Sequence, residues 1–210
     1  MNDRRSVYEL LKQAILDNDL QPGQQLVETV LAEKFSVSRT PIREALTRLE
    51  QDGLAEPRRR GLFVRERSPQ EIFDIYEIRC SLEAKAGHIA AQRRTDYDLQ
   101  ILSQVVDSAA NVDVSRDGAM MENNREFHRA LWAATHNETL QDLLQRLDLH
   151  LVRYPETTLA YPGRWEQAKA QHAAIIEAII RRDADAAGEL MAQHFQDALD
   201  VRLKIGNWDA

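Results

Sequence analysis

The chain has 210 residues, room for one domain or two, and a hydrophobic share of 43% supports a buried core. No run approaches the roughly 18 apolar residues of a membrane span, the charged opening Met1–Gln13 lacks the apolar segment of a secretory leader, and the lone Cys80 allows no internal disulfide, which fits packing in a reducing cytosol. The net charge of −7 is uneven: residues 1–68 hold 12 Lys+Arg against 11 Asp+Glu, and residues 69–210 hold 15 against 23. The acidity belongs to the second part, so a phosphate-binding patch in the first is not excluded.

Residues 6–18 read as a helix with Val7, Leu10, Leu11, Ala14 and Ile15 inward. Leu20-Gln21-Pro22-Gly23 breaks it, and Leu26, Val27 and Val30 lead into a second helix edged by Leu31, Ala32 and Phe35. Ser36-Val37-Ser38 makes a tight turn. In the third helix Ile42, Ala45, Leu46 and Leu49 recur at helical spacing. Pro41 is tolerable only in its first turn, where the missing N–H has no partner to lose. Ser38 or Thr40 can cap the start and Gly53 can end it.

The other face of this helix carries Arg39, Thr40, Arg43, Thr47 and Arg48. Arginine reads guanine edges bidentately, and hydroxyls hold phosphate at a helix N-terminus. That combination makes a helix-turn-helix recognition helix, although a solvated basic face would share the pattern. The flanks decide for the first. Leu54–Glu56 and Leu62–Val64 are short strands, and Pro57-Arg58-Arg59-Arg60-Gly61 turns the chain between them as a wing. Three adjacent arginines at a hairpin tip are costly unless an anion meets them, which points to phosphate or the minor groove.

The run from Leu20 to Val64, and SVSRTPIREALTRLEQDGL above all, resembles the winged-helix domain of GntR-type transcriptional regulators. The resemblance implies DNA reading by Arg39, Thr40 and Arg43, a phosphate contact from Ser38, and Gly61 at the wing tip against the minor groove.

Ser68-Pro69-Gln70-Glu71 is a capping box with proline at the first helical position, and it sets a domain boundary near residue 67. The expected domains are 1–67 and 68–210. From there the pattern is all helix: about 69–92 (with Ile72, Ile75, Tyr76, Arg79, Leu82, Ala86 and Ile89 on one side), 97–111 behind a Thr95 cap, 118–136, 138–154 ended by Pro155, 164–182, and 185–204 behind Asp183. The fold class is mainly α, a winged helix-turn-helix followed by an antiparallel bundle of about six helices.

Three histidines share a property. His128 lies on a stripe with Asn124, Phe127 and Leu131; His172 with Ala168, Ile175, Ile176 and Ile179; His194 with Ala187, Leu190, Met191 and Ala198. Each should face the bundle interior. A single inward histidine is usually a satisfied core residue, but three need three partners. Neutral imidazoles converging on one cation suit Zn, Ni, Mn or Fe, and Asn124, one turn before His128, can add an oxygen.

Residues 69–210 resemble the helical FCD domain of the FadR-type branch of GntR regulators, through IYEIRCSLEAKAGHIAA, NREFHRALWAATHNETL, YPGRW, QHAAIIEAI and AQHF. The resemblance implies a divalent metal held by Asn124, His128, His172 and His194, with asparagine where aspartate is commoner. It also favours a small carboxylic acid as effector. Arg79 then has two readings, an i,i+4 ion pair with Glu83 or a guanidinium that holds the effector. Tyr154, Trp165 and His150 are further pocket candidates.

The whole reads as a ligand-responsive, cytoplasmic DNA-binding regulator. One recognition helix covers too few base pairs for specificity, so a homodimer on a palindromic operator is expected. A metal-dependent enzyme is the weaker rival: there is no HExxH, GxSxG or phosphate-binding glycine loop, and Glu126 should point away from His128. A regulator that answers to the metal itself is the other.

Overall fold

The computed structural model describes residues 6–66, 69–116, 118–152 and 157–205. The chain divides into two compact units, Met1–Glu71 with Asp148–Pro155 and Ile72–Leu147 with Glu156–Ala210. The expected capping box at Ser68 and boundary at 67 lie outside the described residues, as do Tyr154 and Pro155.

The first unit is a three-helix cluster with a hairpin: α1 (Val7–Leu16), α2 (Glu28–Lys34), α3 (Arg39–Gln51), β1 (Ala55–Arg58) and β2 (Gly61–Val64). The Ser6 hydroxyl caps α1 by accepting from the Glu9 N–H. Tyr8, Leu11, Ala14 and Ile15 of α1 meet Leu31 and the Ile42, Ala45, Leu46 and Leu49 stripe of α3. Fully burying an aliphatic side chain of this kind contributes about 1.5–3 kcal/mol, so this stripe sets the angle of α3.

The C-terminal ends of α2 and α3 are each closed by paired backbone bonds. Val37 donates to Ala32 and Ser36 to Glu33 at the end of α2; Leu54 donates to Leu49 and Gly53 to Glu50 at the end of α3. The motif needs a left-handed residue, supplied by Gly53 (φ 68°) at one end and by Ser36 (φ 54°) at the other.

Val27 and Val30, which lead into α2, are 39% and 59% exposed; seven residues give a helix too short for a wide apolar stripe, and Leu31 alone is buried. One expectation changes here: the wing turn is shorter than expected. Pro57 pairs with Leu62 and Arg58 with Gly61 inside the ladder, which leaves Arg59 and Arg60 as the two turn residues. Pro57 is tolerated because an edge strand can present its missing N–H outward.

The second unit is helical: α4 (Pro69–Arg93), α5 (Asp96–Ser108), α6 (Ala119–Ala133), α7 (Glu138–Val152), α8 (Arg164–Ile180) and α9 (Ala184–Ile205). α4 and α7 begin or end in the first unit. Thr95 and Asp98 form a reciprocal capping box at α5, and Asp183 caps α9 through the Ala186 N–H. α8 packs on α9 and on α5, and α5 on α6. α4 and α9 approach closely at two glycines: a Cβ on Gly87 would lie 2.7 Å from the Ala187 carbonyl oxygen, and one on Gly188 would lie 3.1 Å from that of Ala84. No helix among the described residues is long and apolar enough to cross a membrane.

Candidate functional site

On the winged helix, α3 presents Ser38, Arg39, Thr40 and Arg43 to solvent at its N-terminal half. Ser38 is the N-cap by backbone geometry but its hydroxyl makes no capping bond. Arg39 and Arg43 are tethered by a residue that sequence reading passed over. Glu28, first in α2, accepts from Arg43 Nε and Nη2, both at 3.0 Å, and from Arg39 Nη2 at 3.4 Å. Hydrogen bonding by the Arg43 guanidinium holds the Glu28 carboxylate below its usual range. The fork is thereby pre-aimed while both arginines stay 61–66% exposed. Arg48 is turned aside, with its guanidinium carbon 4.0 Å from the Tyr8 ring centre.

In the wing, Arg58 is held by Glu56 at 2.7 Å and Glu66 at 3.0 Å and lies over the Phe63 ring. Arg59 and Arg60 form no ion pair among the described residues. Gly61 (φ 135°) needs its lack of a Cβ: an added one would sit 2.9 Å from Gln25 Nε2, which itself donates to the Arg60 carbonyl.

In the helical unit the three histidines meet. His128 on α6, His172 on α8 and His194 on α9 are 2–3% exposed, and their ligating nitrogens all lie within 4.8 Å of one another. Ring centres are 4.8 Å apart for His172 and His194, 5.3 Å for His128 and His194, and 5.5 Å for His128 and His172. Phe127 stacks on His172 at 3.7 Å, which fixes the plane of that ring. His172 Nε2, His128 Nδ1 and Asn124 Oδ1 are buried with no hydrogen-bond partner. Two of these atoms are ring nitrogens of one close-set histidine cluster, and that three-imidazole donor set fits a cation.

The cluster is electrically prepared for one. Burial pushes His172 down to about 3, with the Arg164 charge adding to it. Burial also drives His128 and His194 well below the ordinary imidazole range, helped by the neighbouring rings and by Arg79 and Arg164. All three rings are neutral at physiological pH, the form that ligates metal.

Arg79 and Glu83 are 4% and 0% exposed, and Arg79 Nε donates to Glu83 Oε1 at 3.3 Å. The i,i+4 pair expected from spacing is therefore present, but in the core rather than on a surface. Glu83 displaces Leu82, which is only half-buried. Its other oxygen accepts from Trp132 Nε1 at 2.8 Å and lies 3.9 Å from His128 Nδ1. Arg79 also lies 4.9 Å from the Phe195 ring centre, beside His194. Trp165 is buried elsewhere, in a small cluster with Ala109, Leu159 and Ala168. The His150 side chain lies outside the described residues. Glu126 is exposed and stands away from the cluster.

Sequence reading also passed over Arg164 and Gln171. Arg164 is 2% exposed; it donates to Gln171 Oε1 and to the His194 carbonyl, each at 3.2 Å. Gln171 Oε1 sits 2.9 Å from His194 Nδ1. The signal was available: Arg164, Ala168 and His172 follow one another at i,i+4 on the buried stripe of α8.

A winged helix with a pre-aimed basic face, and a helical domain built around a polar core cluster, define a DNA-binding regulator with a separate sensing domain. Residues 3–64 match the model of the bacterial regulatory proteins of the gntR family, and residues 74–197 match that of the FCD domain. The uncharacterized HTH-type transcriptional regulator YdhC of Bacillus subtilis (strain 168) is 31% identical over 90% of this chain and 85% of its own. The Nta operon transcriptional regulator of Aminobacter aminovorans is 30% identical over 88% and 87%. The solved structure of E. coli McbR/YncC has the same fold, with a TM-score of 0.73 and 22% identity over 94% of this chain and 95% of that one. The chain belongs to the GntR family, in its FadR-type branch, and is a transcriptional regulator with a C-terminal FCD effector-binding domain.

Proposed function

We propose that this regulator binds a palindromic operator as a homodimer and that its helical domain holds one divalent transition metal (Zn, Ni, Mn or Fe) through Asn124, His128, His172 and His194. The observation that carries the reading is the buried cluster of three neutral imidazoles, with His128 Nδ1 and His172 Nε2 bare. When bound, the metal supplies a Lewis-acid centre to which a small carboxylate effector can add an oxygen ligand. Asn124 brings no charge, so the ion's charge is left for such an anion to offset. Arg79 is the nearby guanidinium for the effector, although its pairing with Glu83 means it must share its hydrogen bonds.

On the DNA side, Arg39, Thr40 and Arg43 read base edges, Ser38 contacts phosphate, and Arg59 and Arg60 carry the wing with Gly61 against the minor groove; Arg58 is the support of that turn. Effector binding favours one placement of the two recognition helices, and by linkage operator DNA shifts effector affinity by the same factor. The test is fluorescence anisotropy on an operator selected from genomic fragments, with metal-loaded and chelated protein and a panel of small organic acids. An acid that changes operator affinity only in the metal-loaded protein supports the reading. Affinity that follows metal concentration and ignores every acid replaces it with direct metal sensing, and turnover of an acid would revive the enzyme reading. The domain limits 1–67 and 68–210 and a cytoplasmic location complete the proposal.

A further inference from the structure

The histidine cluster has a support that its ligand set does not include. Gln171 stands on α8 between two groups whose hydrogen-bonding sense is fixed. Its Nε2 lies 2.6 Å from Asp197 Oδ2, and an ionised carboxylate only accepts. Its Oε1 receives Arg164 Nη1 at 3.2 Å, and a guanidinium only donates. The orientation of the amide is therefore set by both neighbours. Asp197 is itself pinned, by Gln167 Nε2 at 2.8 Å and Gln193 Nε2 at 2.7 Å.

With Oε1 held as an acceptor 2.9 Å from His194 Nδ1, that nitrogen must carry the proton. The one lone pair left on the ring is at Nε2. Arg164 closes the arrangement by donating from Nη2 to the His194 carbonyl, so α8 grips both the ring and the backbone of the same α9 residue. We propose that Gln171, anchored by Arg164 and Asp197, is the positioning residue that fixes His194 as an Nε2 metal ligand; this rests on the metal reading above. The hydrogen bond orients the ring and raises its basicity, as outer partners of ligating histidines do. Among the described residues neither of the other two rings has a side chain at hydrogen-bond distance: His128 Nδ1 and His172 Nε2 are bare, and the Glu83 oxygen near His128 Nδ1 stands 3.9 Å away. His194 is thus the ring already committed before the ion arrives.

The test has two parts on the full chain. Long-range proton–nitrogen NMR of metal-free protein reads the tautomer of each imidazole, with the His194 signals assigned by their loss in His194→Asn. His194 is expected as Nδ1–H, with a shift toward Nε2–H in Gln171→Leu. Zinc affinity is then measured against a chromogenic chelator, with an expected weakening of about 10–100-fold in Gln171→Leu. The combination Gln171→Glu with Asp197→Asn keeps an acceptor at His194 Nδ1 and moves the negative charge from Asp197 to the group behind that ring, so it should bind zinc at least as tightly as the parent; weakening as large as in Gln171→Leu would overturn the role of the acceptor. An Nε2–H tautomer in the parent, or equal zinc affinity in Gln171→Leu, overturns the role of Gln171. A parent that binds no zinc, nickel or manganese but shows Nδ1–H overturns the metal reading instead.

Discussion

Acidification is the perturbation that bears most directly on the buried histidines. An unfolded chain protonates its imidazoles near pH 6.5, whereas His172 in the folded protein resists protonation down to about 3. The unfolded state therefore binds more protons throughout that window. The stabilising contribution is full above pH 6.5 and is lost as the pH falls toward 3. At pH 5 one such ring costs about 2 kcal/mol of folding stability, since each pKa unit is worth about 1.4 kcal/mol. His128 and His194 shift in the same direction for the same reason, burial, so they add to the loss of stability on acidification. The assay is urea unfolding of chelated protein at pH 7.5, 6 and 5, followed through buried Trp132 and Trp165. His172→Gln should flatten the dependence by one proton, about 1.4 kcal/mol per pH unit below pH 6. Parallel slopes in the two proteins would refute the claim that His172 is held neutral by burial.

Arg43→Ala should weaken specific operator binding about 10–100-fold, the worth of one bidentate base contact, with the melting temperature unchanged because the side chain is 66% exposed; anisotropy and calorimetry check the two halves. Replacing Arg59 and Arg60 together with alanine should lower the log–log salt slope of DNA binding by about two, and an unaltered slope would exclude phosphate contact by the wing turn. Arg79→Ala should destabilise the helical domain by about 3–5 kcal/mol by removing the counter-charge of the buried Glu83 carboxylate; a normal melting temperature would show that the pair is dispensable. Gly87→Ala should cost about 1–3 kcal/mol by overpacking α4 against α9, and an unshifted melt would mean that the two helices separate freely there.

The core stripes were legible because burial and helical period agree. Ile42, Ala45, Leu46 and Leu49 are inward on α3, and Ala168, Ile175, Ile176 and Ile179 on α8. The histidines could be read for the same reason, as polar residues sitting where that period demands apolar ones. Glu83 was harder. Spacing offered it as a partner for Arg79 but gave no reason for burial, because the Trp132 N–H that helps satisfy it comes from another helix. Glu28 and Gln171 were hidden for a related reason. Their partners lie 15 and 23 residues away, and a periodic pattern records which face a residue occupies, not which side chain it meets.

The most direct measurement is elemental analysis of purified, tag-free protein beside its His172→Ala variant. The account predicts about one equivalent of a divalent transition metal per chain in the parent, and its loss in the variant. No metal in either protein, even after incubation with zinc, nickel and manganese, would make the three histidines core residues and contradict the proposed sensor.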